Sequence, residues 1–275
     1  MFTDRTAIIT GGSSGIGEAL ALKLAGRGAR LALVARDPSR LAAVREKIAA
    51  QYPGARVEVF SCDVSDEAAA RETVAEIAER LGPPGLLINS AGILIAQYFH
   101  LLPTANFREQ MEVNFFGTLH MIKAALPYLE EERGSRIVNI SSVAGALGVF
   151  GYSSYCASKH ALVGLTGALR AELKPRGVRV HLVLPPETKT PMLEQVNKNR
   201  IPENKALAET IPALPVERVA EETLRGIERN RYLIIPGRQA RLMVRLGQVM
   251  PGLERRIVDY AVKKTYRGPG GGKSS

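Results

Sequence analysis

The chain reads as a doubly wound α/β protein: a parallel sheet of about seven strands, helices on both faces, and a basic helical extension at the C-terminus. Three observations predict this. Short apolar, β-branched runs alternate with segments of helical periodicity, the pattern of successive βαβ units. A glycine-rich turn, Thr10-Gly-Gly-Ser-Ser-Gly-Ile-Gly17, joins the first strand to the first helix. Nearly every polar motif falls at the carboxyl end of a strand, where open α/β sheets bind ligands. A chain of 275 residues with 45% hydrophobic content fits one large domain with a full core.

The elements follow in order. Residues 6–10 (Thr-Ala-Ile-Ile-Thr) are the first strand, and Ala19, Leu20, Leu22, Leu24 and Ala25 mark a helix running up to Gly28. Between them, Gly11 allows a tight turn, Gly15 lets the backbone approach a pyrophosphate, and Gly17 permits close packing of helix on strand. A glycine turn alone is weak; placed between a strand and a helix, it points to dinucleotide binding. Residues 30–35 are the second strand, ending in Arg36-Asp37-Pro38-Ser39-Arg40. An acid there would bind a free ribose 2′-hydroxyl, whereas arginine suits a 2′-phosphate. Arg36 and Arg40 therefore indicate NADP(H), with Asp37 as the countervailing group.

Residues 41–51 are helical. The strand at 56–62 ends in Asp63-Val64, where a carboxylate can bond an adenine amino group or help cap the helix at 66–81; Ser65 or Asp66 makes the better N-cap. The strand at 86–88 closes with Asn89-Ser-Ala91-Gly92, small residues against which a cofactor can lie. Residues 93–103 are apolar and irregular. Residues 104–131 read as one long helix in which Asn114 sits among apolar neighbours, either bonded to backbone or holding a water near a site. Strands at 135–141 and 178–184 flank a helix at 154–174. A segment at about 186–215 reads as a mobile lid, followed by a helix at 216–230 and a last strand at 232–235.

The chemistry centres on residues 139–159. Tyr155 and Lys159 are four apart, so a helix puts both on one face. Ser142 lies at the strand end, 13 residues before the tyrosine. An adjacent ammonium stabilises the ionised phenol, so the tyrosine pKa is expected to fall from its ordinary value toward working pH, which suits a proton donor to a carbonyl. A nearby hydroxyl can hold that carbonyl. The small residues Ala157, Ser158, Ala161, Gly164, Gly167 and Ala168 would let another helix approach the same helix, as in a homodimer or homotetramer.

From Arg231 onward, ten basic residues against two acids carry +8 of the chain's net +10. In residues 238–267 apolar positions recur at helical spacing with arginines and lysines between them, broken at Pro251-Gly252. This reads either as a peripheral membrane-surface element or as a helix pair docked on the domain with a solvated basic face. Interleaved aromatics are few (Tyr260, Tyr266), so no nucleic-acid partner is expected. Residues 268–275, rich in glycine, are expected to be disordered. No apolar run reaches the roughly 18 residues of a membrane span, a strand begins too early for a signal peptide, and Cys62 and Cys156 have no metal-ligand spacing. A cytoplasmic enzyme without a metal is the expectation.

With Thr10-Gly11-x-x-x-Gly15-x-Gly17, Asn89-Ser-Ala-Gly92, Asn114, Ser142 and Tyr155-x-x-x-Lys159 in this order, residues 4–236 resemble the short-chain dehydrogenase/reductases. The resemblance implies a Rossmann fold with a catalytic domain at 1–236. It implies Tyr155 as general acid/base, Lys159 on the nicotinamide ribose and lowering the tyrosine pKa, Ser142 positioning the substrate oxygen, and Asn114 supporting a water relay to the lysine. Cofactor contacts would come from Gly11, Ser13, Ser14, Gly15, Ile16, Gly17, Arg36, Arg40, Asp63, Val64, Asn89, Ala91 and Gly92, with Thr188 and Thr190 facing the nicotinamide. A closer resemblance is to the 3-ketodihydrosphingosine (3-dehydrosphinganine) reductases. It rests on Val34-Ala-Arg36, on Gly148-Val-Phe-Gly-Tyr152, and on Pro185-Pro-Glu-Thr-Lys-Thr-Pro191, where most relatives have Pro-Gly for Pro185-Pro186. It implies NADPH-dependent reduction of a long-chain lipid ketone. A 3-oxoacyl thioester or a steroid is the alternative substrate. A scaffold that binds NADP without catalysis would be expected to have lost parts of the Ser/Tyr/Lys set, which is intact here.

Overall fold

A computed structural model describes residues 1–208 and 212–266. The glycine-rich stretch 268–275, expected to be disordered, lies outside the described residues.

The sheet is built from seven parallel strands in the order β3-β2-β1-β4-β5-β6-β9. These are β1 (Thr6–Thr10), β2 (Arg30–Ala35), β3 (Val57–Ser61), β4 (Pro84–Asn89), β5 (Arg136–Ile140), β6 (Arg179–Val183) and β9 (Leu233–Ile234). Two further strands, β7 (Thr188–Lys189) and β8 (Leu214–Pro215), pair only with each other. The strand order reverses between β1 and β4, which creates a crevice at their carboxyl ends.

Side chains alternate across the sheet with period two, so each apolar strand feeds two cores. Ala7, Ile9, Leu31, Leu33, Leu86, Ile88 and Val138 pack with the helices α1 (Gly15–Ala25), α2 (Pro38–Gln51) and α9 (Val216–Glu228). Ile8, Ala32, Val34, Leu87 and Ile137 point the other way, onto α3 (Glu67–Leu81), α5 (Gly117–Glu131) and the end of α6 (Ser153–Leu173). This two-sided burial is why the strands read as nearly unbroken apolar runs.

The stretch expected as one helix at 104–131 is divided. α4 (Thr104–Met111) passes into a π-helical turn over Glu112–Phe116 before α5 begins. Asn114 sits in that turn. A π-turn inserts an extra residue and re-aims side chains, and such turns often mark functional sites.

The segment expected as a lid folds, over its described residues, into β7, α7 (Pro191–Lys198), α8 (Pro202–Ala208) and β8. Arg200 ties it down. Its guanidinium pairs with Glu187, and it donates to Asn204 Oδ1 at 2.7 Å and Asn197 Oδ1 at 2.9 Å. The C-terminal extension forms α10 (Arg238–Val249) and α11 (Pro251–Tyr266). α10 docks on the domain: Ala240 and Val244 are buried against Val143, Leu182, Leu184 and Ile235. α11 packs on α8 and α10. Among the described residues no helix is long and apolar enough to cross a membrane.

Candidate active site

The crevice at the carboxyl ends of β1 and β4 is a cleft of about 310 Å³. The glycine turn forms its floor. Gly11 has φ +65°, and a Cβ there would meet Ser90 O at 2.8 Å, so only glycine lets the turn lie against the end of β4. Thr10 Oγ1 accepts bonds from the amides of Ser90 and Ala91, both at 3.1 Å, and locks the two strand ends together. Gly17 lies beneath the cleft, where a Cβ would sit 2.2 Å from Gly11 O. Ser14 caps α1 without a side-chain bond to its first turn. The helix N-terminus, with its partial positive charge, is thereby left for an anion.

Farther along the cleft, Arg36 and Arg40 line the wall with side chains 65% and 67% exposed. Asp37, which could have favoured a free 2′-hydroxyl, is committed elsewhere. It is the N-cap of α2, and its Oδ1 accepts from the amides of Ser39 and Arg40 at 3.0 and 3.1 Å. Asp37 Oδ2 also pairs with Arg40 Nε at 3.4 Å, so two exposed arginines, one loosely held by the cap residue, face the cleft and suit a 2′-phosphate. Asp63 lies across from Arg36 at 3.9 Å. Partial burial opposes its charge, but the Ser65 hydroxyl and amide, aided by Arg36, hold the carboxyl below its ordinary value. The N-cap of α3 is Asp66.

Ser13, Gly15, Ile16, Val64, Ala91, Gly92 and Thr190 also line this cleft. Asn89 does not. Its side chain is buried and donates to Asn139 Oδ1 at 2.9 Å, and Asn139 in turn donates to Thr166 Oγ1 at 3.0 Å. Thr188 lies on a neighbouring apolar cavity, described next.

Tyr155 and Lys159 close the inner end of the cleft. Tyr155 and Ser142 also border that second cavity, of about 110 Å³, walled by Leu94, Pro186, Met192 and Val196. The Ser142 hydroxyl faces the Tyr155 phenol and favours its ionised form, and Ser142 Oγ accepts from the Ala144 amide at 3.1 Å. Lys159 Nζ lies 5.7 Å from the Tyr155 ring centroid and donates to Ile140 O at 3.1 Å. Its burial lowers the ammonium from 10.5 to about 8.

The Tyr155 phenol shifts opposite to the expected fall. Burial pushes the phenol well above its ordinary value, and the Ser142 hydroxyl pulls it back only in part. Desolvation penalises both the phenolate and the ammonium that was expected to stabilise it, and it is the largest influence on each.

Asn114 is fully buried. Its Oδ1 accepts from the Ile93 amide at 2.8 Å, and its Nδ2 donates to Ile93 O at 3.0 Å and Ser158 Oγ at 2.9 Å. Of the two expected reasons for a mid-helix asparagine, bonding to backbone is the one seen. Gln110, one helical step earlier, repeats the pattern: it accepts from the Ile95 amide at 3.1 Å and donates to Ser154. Gln110 and Asn114 thus join α4 and the π-turn to Ser154 and Ser158 of α6, stitching the loop after β4 to the helix that carries Tyr155 and Lys159. Sequence reading missed Gln110, Ser154 and Ser158. Their signal was two polar pairs at i, i+4 on otherwise apolar helical faces. Ser158, expected on an outward small-residue face, points inward for this reason. Ala157, Gly164, Gly167 and Ala168 remain exposed.

Fold and site together are those of a dinucleotide-dependent oxidoreductase: a glycine turn with an open helix N-terminus, two arginines at one end of the cleft, and Tyr155 and Lys159 at the other. The family model described as short chain dehydrogenase matches residues 5–201, and the chain belongs to that family. The 3-ketodihydrosphingosine reductase of Bos taurus is 36% identical over 228 residues, spanning 82% of this chain and 69% of its own length. Among solved structures, levodione reductase matches with TM-score 0.81 at 30% identity, covering 88% of this chain and 98% of that one. A short chain dehydrogenase from Burkholderia cenocepacia, solved in complex with NADP, matches with TM-score 0.79 at 26% identity over 94% of this chain and 98% of its own. The protein is an NADP(H)-binding oxidoreductase acting on a ketone–alcohol pair.

Proposed function

We propose that this protein reduces the ketone of a long-chain sphingoid base, 3-ketodihydrosphingosine, to the alcohol, with NADPH as donor. One observation carries this. Tyr155 stands where two unlike spaces meet, a cleft along the glycine turn shaped for a dinucleotide and an apolar cavity beyond it that Ser142 also lines. A carbonyl presented from the apolar side meets both hydroxyls. NADPH, when bound, supplies the hydride to the carbonyl carbon.

The chain's own residues do the rest. Ser142 donates to the carbonyl oxygen and fixes its place. Tyr155 gives that oxygen its proton. Burial, which raises its pKa, favours the protonated phenol that such a donor needs. Lys159 binds the nicotinamide ribose, and Asn114 holds the Ile93 loop and α6 in register around it. Gly11, Ser13, Ser14, Gly15, Ile16, Val64, Ala91 and Gly92 cradle the cofactor, with Arg36 and Arg40 on the 2′-phosphate. The similarity to the Bos taurus reductase supports the sphingoid reading.

The exposed faces of α10 and α11 carry Leu242, Val249, Met250, Leu253 and Tyr260 together with Arg238, Arg245, Arg255 and Arg256. We read this combination as a contact with an anionic membrane surface, where a lipid ketone resides. The uncovered small residues of α6 favour packing against a second copy, giving a dimer or tetramer. The test of function is NADPH consumption with 3-ketodihydrosphingosine in detergent, run beside NADH. Turnover with an NADPH preference is expected; binding of NADPH without turnover of the ketone would refute the substrate assignment. Co-sedimentation with vesicles containing phosphatidylserine, compared with phosphatidylcholine alone, tests the membrane contact; equal binding to both would refute its electrostatic part.

A further inference from the structure

Beyond Ser142 lies a further cavity of about 110 Å³. It shares Ser142, Tyr152, Pro186 and Glu187 with the cavity that borders Tyr155, so the two adjoin across those side chains. Its remaining walls are largely aliphatic: Val143, Leu147 and Val149 from the loop after β5, Leu207 from α8, Met243 from α10 and Val258 from α11. Two polar groups at its edge are already engaged. Glu187 is ion-paired with Arg200, and Asn204 accepts from Arg200 and donates to Phe150 O at 2.8 Å. Apart from the Ser142 and Tyr152 hydroxyls, the surface facing the space is hydrocarbon.

We propose that this cavity seats the aliphatic chain of the ketone substrate, so that α10 and α11 are a wall of the substrate site rather than an appendage to the domain. The inference rests on the long-chain reading above. With the carbonyl held between Ser142 and Tyr155, a chain attached to it and directed away from the cofactor enters this space. Oriented so, the extension that carries the exposed apolar and basic face also lines the path of the chain. Each methylene buried there is expected to raise kcat/KM or affinity about fourfold.

The test uses the full chain and a series of 2-amino-3-ketones of about six, twelve and eighteen carbons, below their aggregation concentrations. kcat/KM is measured with NADPH. In parallel, calorimetry gives the affinity of the corresponding amino alcohols for the NADP-loaded protein. Met243→Trp and Val258→Trp narrow the cavity from two different helices. The wild type is expected to gain steeply with chain length, and each variant to lose at least tenfold of the long-to-short ratio. A variant that is merely misfolded lowers long and short ligands alike and leaves the ratio as in the wild type. A wild-type ratio in a variant whose circular dichroism and NADPH affinity match the wild type overturns the inference, as does a wild type indifferent to chain length. If no ketone of the series is turned over, the functional reading fails, and the binding ratios still decide the cavity: lost in the variants upholds it, retained overturns it. If turnover is seen and the variants keep the wild-type ratio, the functional reading stands and the cavity assignment falls.

Discussion

Replacing Lys159 by methionine should make the cofactor-free protein more stable while disabling it. Lys159 is 5% exposed, and burial lowers its ammonium from 10.5 to about 8. In the unfolded chain the lysine has its ordinary value. Between about pH 8 and 10.5 the unfolded state therefore binds more protons, and stability rises with pH; below about 8 the whole penalty is present. A shift of this size corresponds to about 3 kcal/mol. Methionine keeps the length and apolar stem without the charge. It leaves Ile140 O without its lysine donor, a loss of about 1 kcal/mol. The net expectation at neutral pH is a gain of roughly 2 kcal/mol.

Urea denaturation of both proteins without cofactor, near pH 7 and near pH 10, measures this. Taking the difference between the two proteins cancels the other groups that titrate in that range. The gain should shrink toward the higher pH as the wild-type ammonium deprotonates. Turnover in the variant should fall at least about 100-fold. A variant less stable than the wild type by more than about 1 kcal/mol near pH 7 would refute the reasoning. So would a gain that does not diminish near pH 10, since the penalty would then not be that of a buried charge.

Tyr155→Phe removes the proposed proton donor alone, so turnover should drop by about 10²–10⁴ while NADPH affinity, followed by nucleotide fluorescence, is retained; affinity falling in step with turnover would contradict the assignment. Asn114→Ala strands the Ile93 amide and carbonyl and takes one donor from Ser158, which keeps its bond to Tyr155 O, and should cost about 1–3 kcal/mol in urea; a loss under about 0.5 kcal/mol would show that the bridge is unimportant. The double change Arg36→Ala with Arg40→Ala should reduce the NADPH-over-NADH ratio of kcat/KM by at least about tenfold; an unchanged ratio would remove both from the 2′-phosphate site.

Much of the fold is legible without coordinates, and the reason is local. Alternation in the apolar strands, such as Ala7-Ile8-Ile9, follows from the pleat, so strands and their two-sided burial are encoded by adjacent residues. The turn from Thr10 to Gly17 is equally local: each glycine answers a steric demand of its immediate neighbours, and the strand before it and helix after it can be read from periodicity. Four-residue spacing is enough to place Tyr155 and Lys159 on one face.

What the neighbours along the chain do not encode is solvation and partnership across it. The ionisation of Tyr155 was expected to follow the nearby ammonium, yet it follows burial, because the water removed from that end of the cleft is displaced by segments far away in sequence. The division of the helix at Glu112–Phe116 depends on Asn114 finding Ile93 and Ser158, and the role of Asp37 depends on a helix that starts right after it. The basic extension carries one amphipathic pattern whether it lies on a membrane or on the domain. Docking of Ala240 and Val244 onto Val143 and Leu184 was decided only when β5, β6 and β9 brought those side chains to one edge of the sheet. Periodicity fixes which face of an element is apolar; the surface that covers it is set by packing between residues a hundred positions apart.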